Sequence, residues 1–458
     1  MEFLQPLWDA IGPGKTALEF LIVIGSLFFG ARVSGIGLGL IPAVGLMLLV
    51  FVFGLKPGEP PITVMLIIIA AVSCAATMQA TGAIDWMIMQ VEKMLRAHPK
   101  MITILGPMCT WGLTAVVGTG HVVYTLVPII ADIAHRQGIR PERAVAVSSV
   151  ASQMGITASP VAAATAAFLA QQVEFNTGIT MAMILMVSVP ATFVGVMVAA
   201  IWSTFRGKDL KDDPEYQKRL ADPVMREYMF GNEETMMNQK FTWKAWAPVL
   251  MFFGALVFII VLAQFKDLRP LNGEKPASMT LLIQMILMAT AAIILVVTKA
   301  KPSKVIEGNV FRSGMMAVTV IFGIAWMSNT FFGAHEEEMK IITESLVNQA
   351  PWAFAFALFF VSVFINSQGA TTLLVMPLGF AAGISPIVLL GVFPAVYGYF
   401  FIPNYPSDIA AMNFDRSGTT KIGKYLLNHS FMMPGLIGVI TGCLVASAIA
   451  HLVIANML

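Results

Sequence analysis

Phe364-Ile365-Asn366-Ser367-Gln368-Gly369-Ala370-Thr371-Thr372 is a polar island without a charge, set in apolar sequence on both sides. Upstream, Pro351 to Val363 is almost entirely Ala, Phe, Leu and Val; downstream, Leu373 to Gly383 is apolar again around Pro377. A spanning helix needs about 20 residues, so each arm is too short to cross a bilayer alone. The stretch reads as a re-entrant helical hairpin over about 351–383, with Asn366 to Thr372 at its tip. Backbone donors exposed at membrane depth are tolerated only where they are buried in protein or line a cavity. The tip is therefore a candidate binding site.

The same design appears earlier in the chain. Met101 to Val117 is apolar, Gly118-Thr119-Gly120-His121 is a polar break, and Val122 to Ala134 is apolar again, which gives a first hairpin over about 101–134. Gly120 precedes Pro128 by the same eight residues that separate Gly369 from Pro377.

The 458 residues are 57% hydrophobic and 12% charged, against roughly 25% charged for a soluble domain, so the composition is that of a polytopic membrane protein. A net charge of +2 without basic stretches carrying interleaved aromatics points to no nucleic-acid partner. Cys74, Cys109 and Cys443 lie in apolar segments without metal-ligand spacing, and read as buried free thiols. No metal site and no cofactor are expected. Residues 1–16 contain Glu2 and Asp9 but no early Lys or Arg, which is not the basic start of a cleavable signal peptide. The first hydrophobic segment is expected to be retained.

Apolar stretches long enough to cross run approximately 17–34, 36–54, 62–84, 144–170 and 179–203, then 246–265, 278–298, 313–333, 386–414 and 425–455. With the two hairpins, the sequence predicts an all-α membrane protein of about ten crossings and two re-entrant elements. Residues 206–244 are the one long polar segment, with Pro214 and Pro223 in it, and read as a cytoplasmic linker between halves 1–205 and 245–458. Cytoplasmic loops retain Lys and Arg. With both termini outside, 22 of the 28 Lys and Arg fall on the cytoplasmic side. In that topology each half has three crossings, a hairpin and two crossings, inverted relative to the other. Inverted repeats with interrupted helices are the signature of secondary transporters, which bind substrate where the repeats meet.

The crossing after each hairpin is also interrupted, at Ser152-Gln153-Met154-Gly155-Ile156-Thr157-Ala158-Ser159-Pro160 and at Pro403-Asn404-Tyr405-Pro406-Ser407-Asp408. Proline removes a donor and clashes with the preceding turn, so these helices should unwind locally. Four polar breaks then converge. Thr119, Gly120, His121, Thr157, Ser159, Asn366, Ser367, Gln368, Gly369, Thr371, Asn404 and Ser407 are the candidate substrate-binding residues, with Ser152, Gln153 and Thr372 in the same inventory. The set contains no Arg or Lys. Helix N-termini at tips and after unwound segments offer free N–H groups and a positive dipole end, so a small anion, a carboxylate especially, fits without a buried cation.

Asp408 sits inside a crossing, and an intramembrane carboxylate is a functional hypothesis by default. It carries a coupling proton, coordinates sodium with nearby carbonyls, or caps the helix that resumes after Pro406. His121 is either a proton sensor at a tip or a plain hydrogen-bonded histidine. Asp85 and Asp132 read as boundary residues, Glu336, Glu337 and Glu338 as a solvated loop, and Gly25, Gly30, Gly35, Gly37 and Gly39 as close helix packing in the first two crossings. No nucleophile–base pair is recognisable, so no catalytic residue is assigned and the chain is not read as an enzyme. Without a nucleotide-binding loop, transport must draw on a gradient or on exchange.

Several motifs resemble the anaerobic four-carbon dicarboxylate transporter (Dcu) family, within the ion-transporter superfamily. They are Gly30-Ala31-Arg32 with Gly35-Ile36-Gly37, Leu55-Lys56-Pro57-Gly58, Pro99-Lys100-Met101-Ile102-Thr103-Ile104-Leu105, Ile156-Thr157-Ala158-Ser159-Pro160, and Phe414-Asp415-Arg416-Ser417-Gly418-Thr419-Thr420-Lys421-Ile422-Gly423-Lys424 through Asn428-His429-Ser430. The resemblance implies transport of fumarate, succinate, malate and aspartate across the bacterial inner membrane, often as fumarate–succinate exchange, with proton-coupled uptake or efflux also in the family's range. It further implies elevator-like movement, a homodimer, and for some members a membrane sensor kinase as partner. The alternatives are a sodium-coupled carrier of another small organic anion, and a transporter-like regulator of a sensor kinase.

Overall fold

In hydrocarbon every backbone N–H and C=O must be satisfied within the protein, so long apolar runs become helices. The computed structural model describes residues 14–33, 35–60, 62–231, 235–273, 275–335, 351–403, 405–423 and 428–457. Its helices begin with α1 Gly14–Val33, α2 Gly37–Phe51, α3 Ile62–Ala80 and α4 Ala83–Ala97. The first hairpin is α5 Ile102–Val117 and α6 Val123–Arg136, followed by α7 Pro141–Thr157, α8 Ala163–Glu174 and α9 Met181–Thr204. The linker holds α10 Pro214–Ala221 and α11 Pro223–Met229. The second half comprises α12 Trp243–Gln264, α13 Met279–Thr298, α14 Pro302–Glu307, α15 Asn309–Ala334, the hairpin α16 Phe354–Ile365 and α17 Gln368–Ala381, then α18 Pro386–Val392, α19 Pro406–Phe414 and α20 Met432–Leu452. Among the described residues, strand is confined to Leu271–Asn272 paired with Lys275–Pro276, and to a bridge between Ile422 and His429.

Six of these stretches are each long and apolar enough to cross a bilayer: Pro99–Val117, Met181–Thr204, Trp243–Leu262, Met279–Thr298, Asn309–Ala334 and Met432–Asn456. The chain is thus an all-helical polytopic membrane protein. Several of the expected crossings are instead built from short pieces. The stretch 144–170 divides into α7 and α8, 386–414 into α18 and α19, and 62–84 ends at Ala80, where α3 meets the unanticipated amphipathic α4 at a bend of 69°. Asp85 lies in the first turn of α4. One arm of the first hairpin also differs from expectation: with the short turn at Pro99–Met101 it reaches 19 residues, enough to cross alone.

Both interrupted crossings break where prolines are expected to stop them, but over only part of the polar stretches. Helix α7 runs through Thr157, so Ser152, Gln153 and Thr157 are helical. Their neighbours explain this: Ser152 Oγ donates to the Ser149 carbonyl at 2.7 Å and Thr157 Oγ1 to the Met154 carbonyl at 3.1 Å, so neither hydroxyl leaves the helix unsatisfied. The stop comes from Pro160, which disfavours helical geometry at the residue before it. In the second half α18 gives way to a short 3₁₀ turn, Phe393–Val396, and helix resumes only at Pro406. The prolines at 394 and 403 both fall in this longer break.

The helices form two groups. In the first, α1, α2 and α15 pack together and α3 joins α15 to α13 and α12; in the second, α5, α7, α9, α18 and α20 pack around the hairpins. Contacts recur in pairs when the halves are exchanged: α2 with α15 and α13 with α3, α6 with α19 and α17 with α8. Helix α3 also packs on α15, and α9 on α20. The groups meet where α15 touches α17 and α8, and where α3 touches α8.

Glycine sets the approach of α2 to α15. A Cβ on Gly323 would lie 1.8 Å from the Gly39 carbonyl oxygen, and one on Gly39 would lie 2.3 Å from the Thr319 carbonyl oxygen. Gly39 therefore packs against the second half of the chain and not within the first two crossings, whereas Gly30 does sit against Gly37, its Cβ position 3.2 Å from that carbonyl.

The linker is tied down. Asp213 and Asp222 cap α10 and α11, each followed by proline at the first helical position. Arg140 pairs with Asp213 and, at 2.7 Å, with Glu142, which also faces Arg206 at 3.2 Å. Partial burial pushes the Asp213 carboxyl up, but the Arg140 guanidinium and the backbone N–H of Tyr216 outweigh it and hold the carboxyl below its ordinary value. Tyr216 Oη lies 3.0 Å from His135 Nε2 on α6.

Replacing Gly323 by Ala is expected to destabilise the protein by about 1–3 kcal/mol, the usual cost of overpacking, read as a lower unfolding temperature in detergent. Gly25→Ala is the control, because its Cβ would meet nothing within 4 Å.

Candidate binding site between the hairpin tips

Each tip is built by the same local sequence of conformations. Gly118 is left-handed (φ 80°), Thr119 is extended (φ −143°), and helical turns restart at Gly120. Asn366 is left-handed (φ 54°), Ser367 is extended (φ −151°), and α17 starts at Gln368. The extended residue caps the new helix in both: Thr119 Oγ1 accepts from the His121 N–H at 3.4 Å and Ser367 Oγ from the Ala370 N–H at 3.3 Å. The left-handed residues, not Gly120 and Gly369, are the conformational equivalents. Pro128 then lies ten residues after Gly118, while Pro377 lies eleven after Asn366, so the equal glycine-to-proline spacing is not the structural register.

The tips meet at a cavity of about 590 Å³, within the roughly 300–1,000 Å³ range of small-molecule sites. Thr119, Gly120, His121, Asn366, Ser367, Gln368 and Gly369 all line it. So do Ala163 and Ala164 at the start of α8, and Tyr405 and Pro406 at the start of α19. The N-termini of α8 and α19 carry no side-chain cap, which leaves N–H groups unpaired within their helices. Among the described residues, no Lys, Arg, Asp or Glu is in the lining. Its polarity is that of neutral donors and helix N-termini.

Other candidates are buried behind this wall. Thr157, Ser159, Thr371 and Ser407 are all at most 2% exposed and do not line the cavity. Ser159 Oγ accepts from the Val161 N–H at 3.3 Å and so shapes the α7–α8 break. Asn404 lies outside the described residues, as do Glu336, Glu337 and Glu338. Asp408 is 1% exposed, in the first turn of α19, and its Oδ1 accepts from Ser149 Oγ at 2.6 Å. Its described partner is thus α7, and no side-chain cap of α19 is formed.

A hydrogen-bonded network fixes the second tip against the broken helices. Gln368 Nε2 donates to the Gln153 carbonyl at 2.8 Å and to Tyr399 Oη at 3.2 Å; Tyr399 Oη donates to Gln153 Oε1 at 2.6 Å. Gly120 allows the first tip to join, since a Cβ there would lie 2.4 Å from Gln153 Nε2. Three side-chain oxygens at the second tip, Asn366 Oδ1, Gln368 Oε1 and Thr371 Oγ1, are buried without a hydrogen-bond partner.

Sequence reading misses two groups of lining residues. Tyr124, Tyr399 and Tyr405 face the cavity, with the last two rings 4.4 Å apart. Four of the chain's seven tyrosines, these three and Tyr397, cluster beside the two breaks, a compositional signal that was available. Ser313, Gly314 and Met316 of α15 form the opposite wall, and nothing local marks them. His121 Nε2 lies 2.9 Å from Ser313 Oγ.

Residues 15–454 match the family described as anaerobic C4-dicarboxylate membrane transporter. The chain is 46% identical to the anaerobic C4-dicarboxylate transporter DcuB of Escherichia coli over 429 residues, 93% of this chain and 96% of that one. It is 34% identical to the C4-dicarboxylate transporter DcuA of Wolinella succinogenes over 427 residues, 92% and 96% of the two chains. Two solved structures share the fold: MtrF of Neisseria gonorrhoeae (13% identity, 94% of each chain, TM-score 0.58) and the YdaH transporter of Alcanivorax borkumensis (12% identity, 97% and 99%, TM-score 0.55). The helical architecture, the pair of capped tips on an uncharged cavity and the match along the whole chain agree: this protein belongs to the anaerobic C4-dicarboxylate membrane transporter (Dcu) family, and is a membrane transporter and not an enzyme.

Proposed function

We propose that the chain is a secondary carrier that moves four-carbon dicarboxylates (fumarate, succinate, malate and aspartate) across the bacterial inner membrane, chiefly by fumarate–succinate exchange. The observation that carries this reading is the meeting of two hairpin tips and two uncapped helix N-termini on one cavity without a charged side chain. A carboxylate only accepts hydrogen bonds, and N-terminal N–H groups with neutral side-chain donors supply them at both tips. Thr119, Gly120, His121, Asn366, Ser367, Gln368 and Gly369 hold the substrate, while Thr157, Ser159, Thr371 and Ser407 shape the wall behind them.

The paired contacts between halves support two inverted repeats, 1–205 and 245–458, with the charged linker on the cytoplasmic side and both termini outside. In this reading the hairpin-bearing group, α5–α9 with α16–α20, carries the substrate past a scaffold of α1–α3, α12, α13 and α15. The three unpartnered oxygens at the second tip support a second reading, in which sodium accompanies the substrate. Asp408, held by Ser149, is the other candidate for coupling, through a proton.

Labelled fumarate uptake into proteoliposomes tests these assignments. Asn366→Ala is expected to raise KM about tenfold or more, as a lost hydrogen bond to a charged group is worth roughly 1.5–3 kcal/mol; an unchanged KM would remove Asn366 from the site. For Asp408→Asn, exchange into succinate-loaded vesicles should persist while uptake driven by a pH gradient into empty vesicles is lost. Retention of both would exclude Asp408 as the proton carrier. Stimulation of uptake by a sodium gradient, lost in Thr371→Val, would favour the sodium reading.

A further inference from the structure

Between the hairpin-bearing group and the other helices, His121 and Ser313 form the one side-chain hydrogen bond at the cavity among the described residues, 192 positions apart in sequence. Both residues line the cavity, His121 from the first tip and Ser313 from α15. The ring is exposed to the cavity. It therefore stands where a ligand would touch it while it is also bound across the groups' boundary. A neutral imidazole carries a single N–H. If Nε2–H is given to Ser313 Oγ, the other ring nitrogen is a bare lone pair that repels a carboxylate.

We propose that Ser313 and the substrate carboxylate compete for His121, so that the empty carrier is tied to α15 through the His121–Ser313 bond and substrate binding releases it. The inference rests on the substrate site argued above. Its consequence is coupling: a hairpin tip that stays bonded to α15 until a carboxylate takes the ring reorients poorly when empty. Exchange is then favoured over net flux. Ser313 never needs to touch the substrate, and it acts as a positioning residue through His121.

The test measures fumarate KM and the ratio of uptake into empty against succinate-loaded vesicles for purified Ser313→Ala, Ser313→Thr and His121→Ala. With its competitor gone, Ser313→Ala should lower KM by about 2- to 10-fold, the equivalent of one net hydrogen bond, and raise the empty-to-loaded ratio several-fold. Ser313→Thr keeps the hydroxyl and should stay within about twofold of the parent in both readouts. His121→Ala should raise KM while also raising the ratio. If Ser313→Ala leaves both readouts at the parent values, or raises KM, the competition is overturned, even where His121→Ala confirms a substrate contact. If His121→Ala and Asn366→Ala both leave KM unchanged, the substrate site itself is wrong and the inference falls with it. Elution of each variant as a single species in detergent separates these outcomes from misfolding.

Discussion

A helix that stops inside a membrane must dispose of four N–H groups or four carbonyls at its end without water. This constraint organises the molecule. At each tip it is met by one left-handed residue that turns the chain, Gly118 or Asn366, and one extended residue that caps the restarting helix, Thr119 or Ser367. The α7–α8 break uses proline to stop the helix and Ser159 to cap the turn. The four interruptions can exist at this depth because they face one another around a shared cavity and share partners such as Gln153. Removing any one would leave the remaining ends without the wall that makes them tolerable.

The same constraint explains a cavity free of charge. A buried guanidinium or ammonium costs several kcal/mol before it binds anything. N–H groups at helix starts are already present, already oriented, and carry only partial charge. The charged residues are gathered instead at the linker end. There Asp415 accepts from Ser417, from Thr419 Oγ1 at 2.8 Å and from the Thr420 N–H at 2.6 Å, and Thr419 in turn accepts from the Glu142 N–H at 3.0 Å. The long motif beginning Phe414-Asp415-Arg416-Ser417-Gly418 is therefore a folded loop that fastens the end of α19 to the start of α7. The cavity between the tips lies elsewhere.

Much of this was legible in the sequence because helix stops announce themselves. Polar islands, Gly and Pro inside apolar runs locate both tips, and seven of the thirteen proposed site residues line the cavity. The failures have a common physical origin. Helix α7 is buried on nearly every side, so its polar residues follow no face, and Thr157 and Ser159 could not be told apart from residues that see the cavity. Ser313 sits on an apolar helix with no break, and only its approach to His121 of the first tip gives it a role. Tyrosines are large enough to reach a cavity from outside the polar islands, as Tyr124 and Tyr399 do, so reading only small polar residues left them out. The linker read as a polar connection between halves, and its mixed charges gave no sign that Arg140, Glu142 and Asp213 satisfy one another in a largely buried cluster.

The two tips are alike in backbone and unlike in chemistry, and that difference has consequences. The left-handed position is Gly118 in one and Asn366 in the other; glycine adopts this conformation without strain but offers no side chain, whereas asparagine tolerates it and contributes an amide. All three unpartnered tip oxygens belong to the second hairpin, and the tie to α15 belongs to the first. Among the described residues, buried tip acceptors without a partner thus stand at the second tip. A side-chain hydrogen bond to α15 is made at the first. Matching backbones thus carry different chemistry, unpartnered acceptors at one tip and a bond to α15 at the other, through the choice of side chain at equivalent positions.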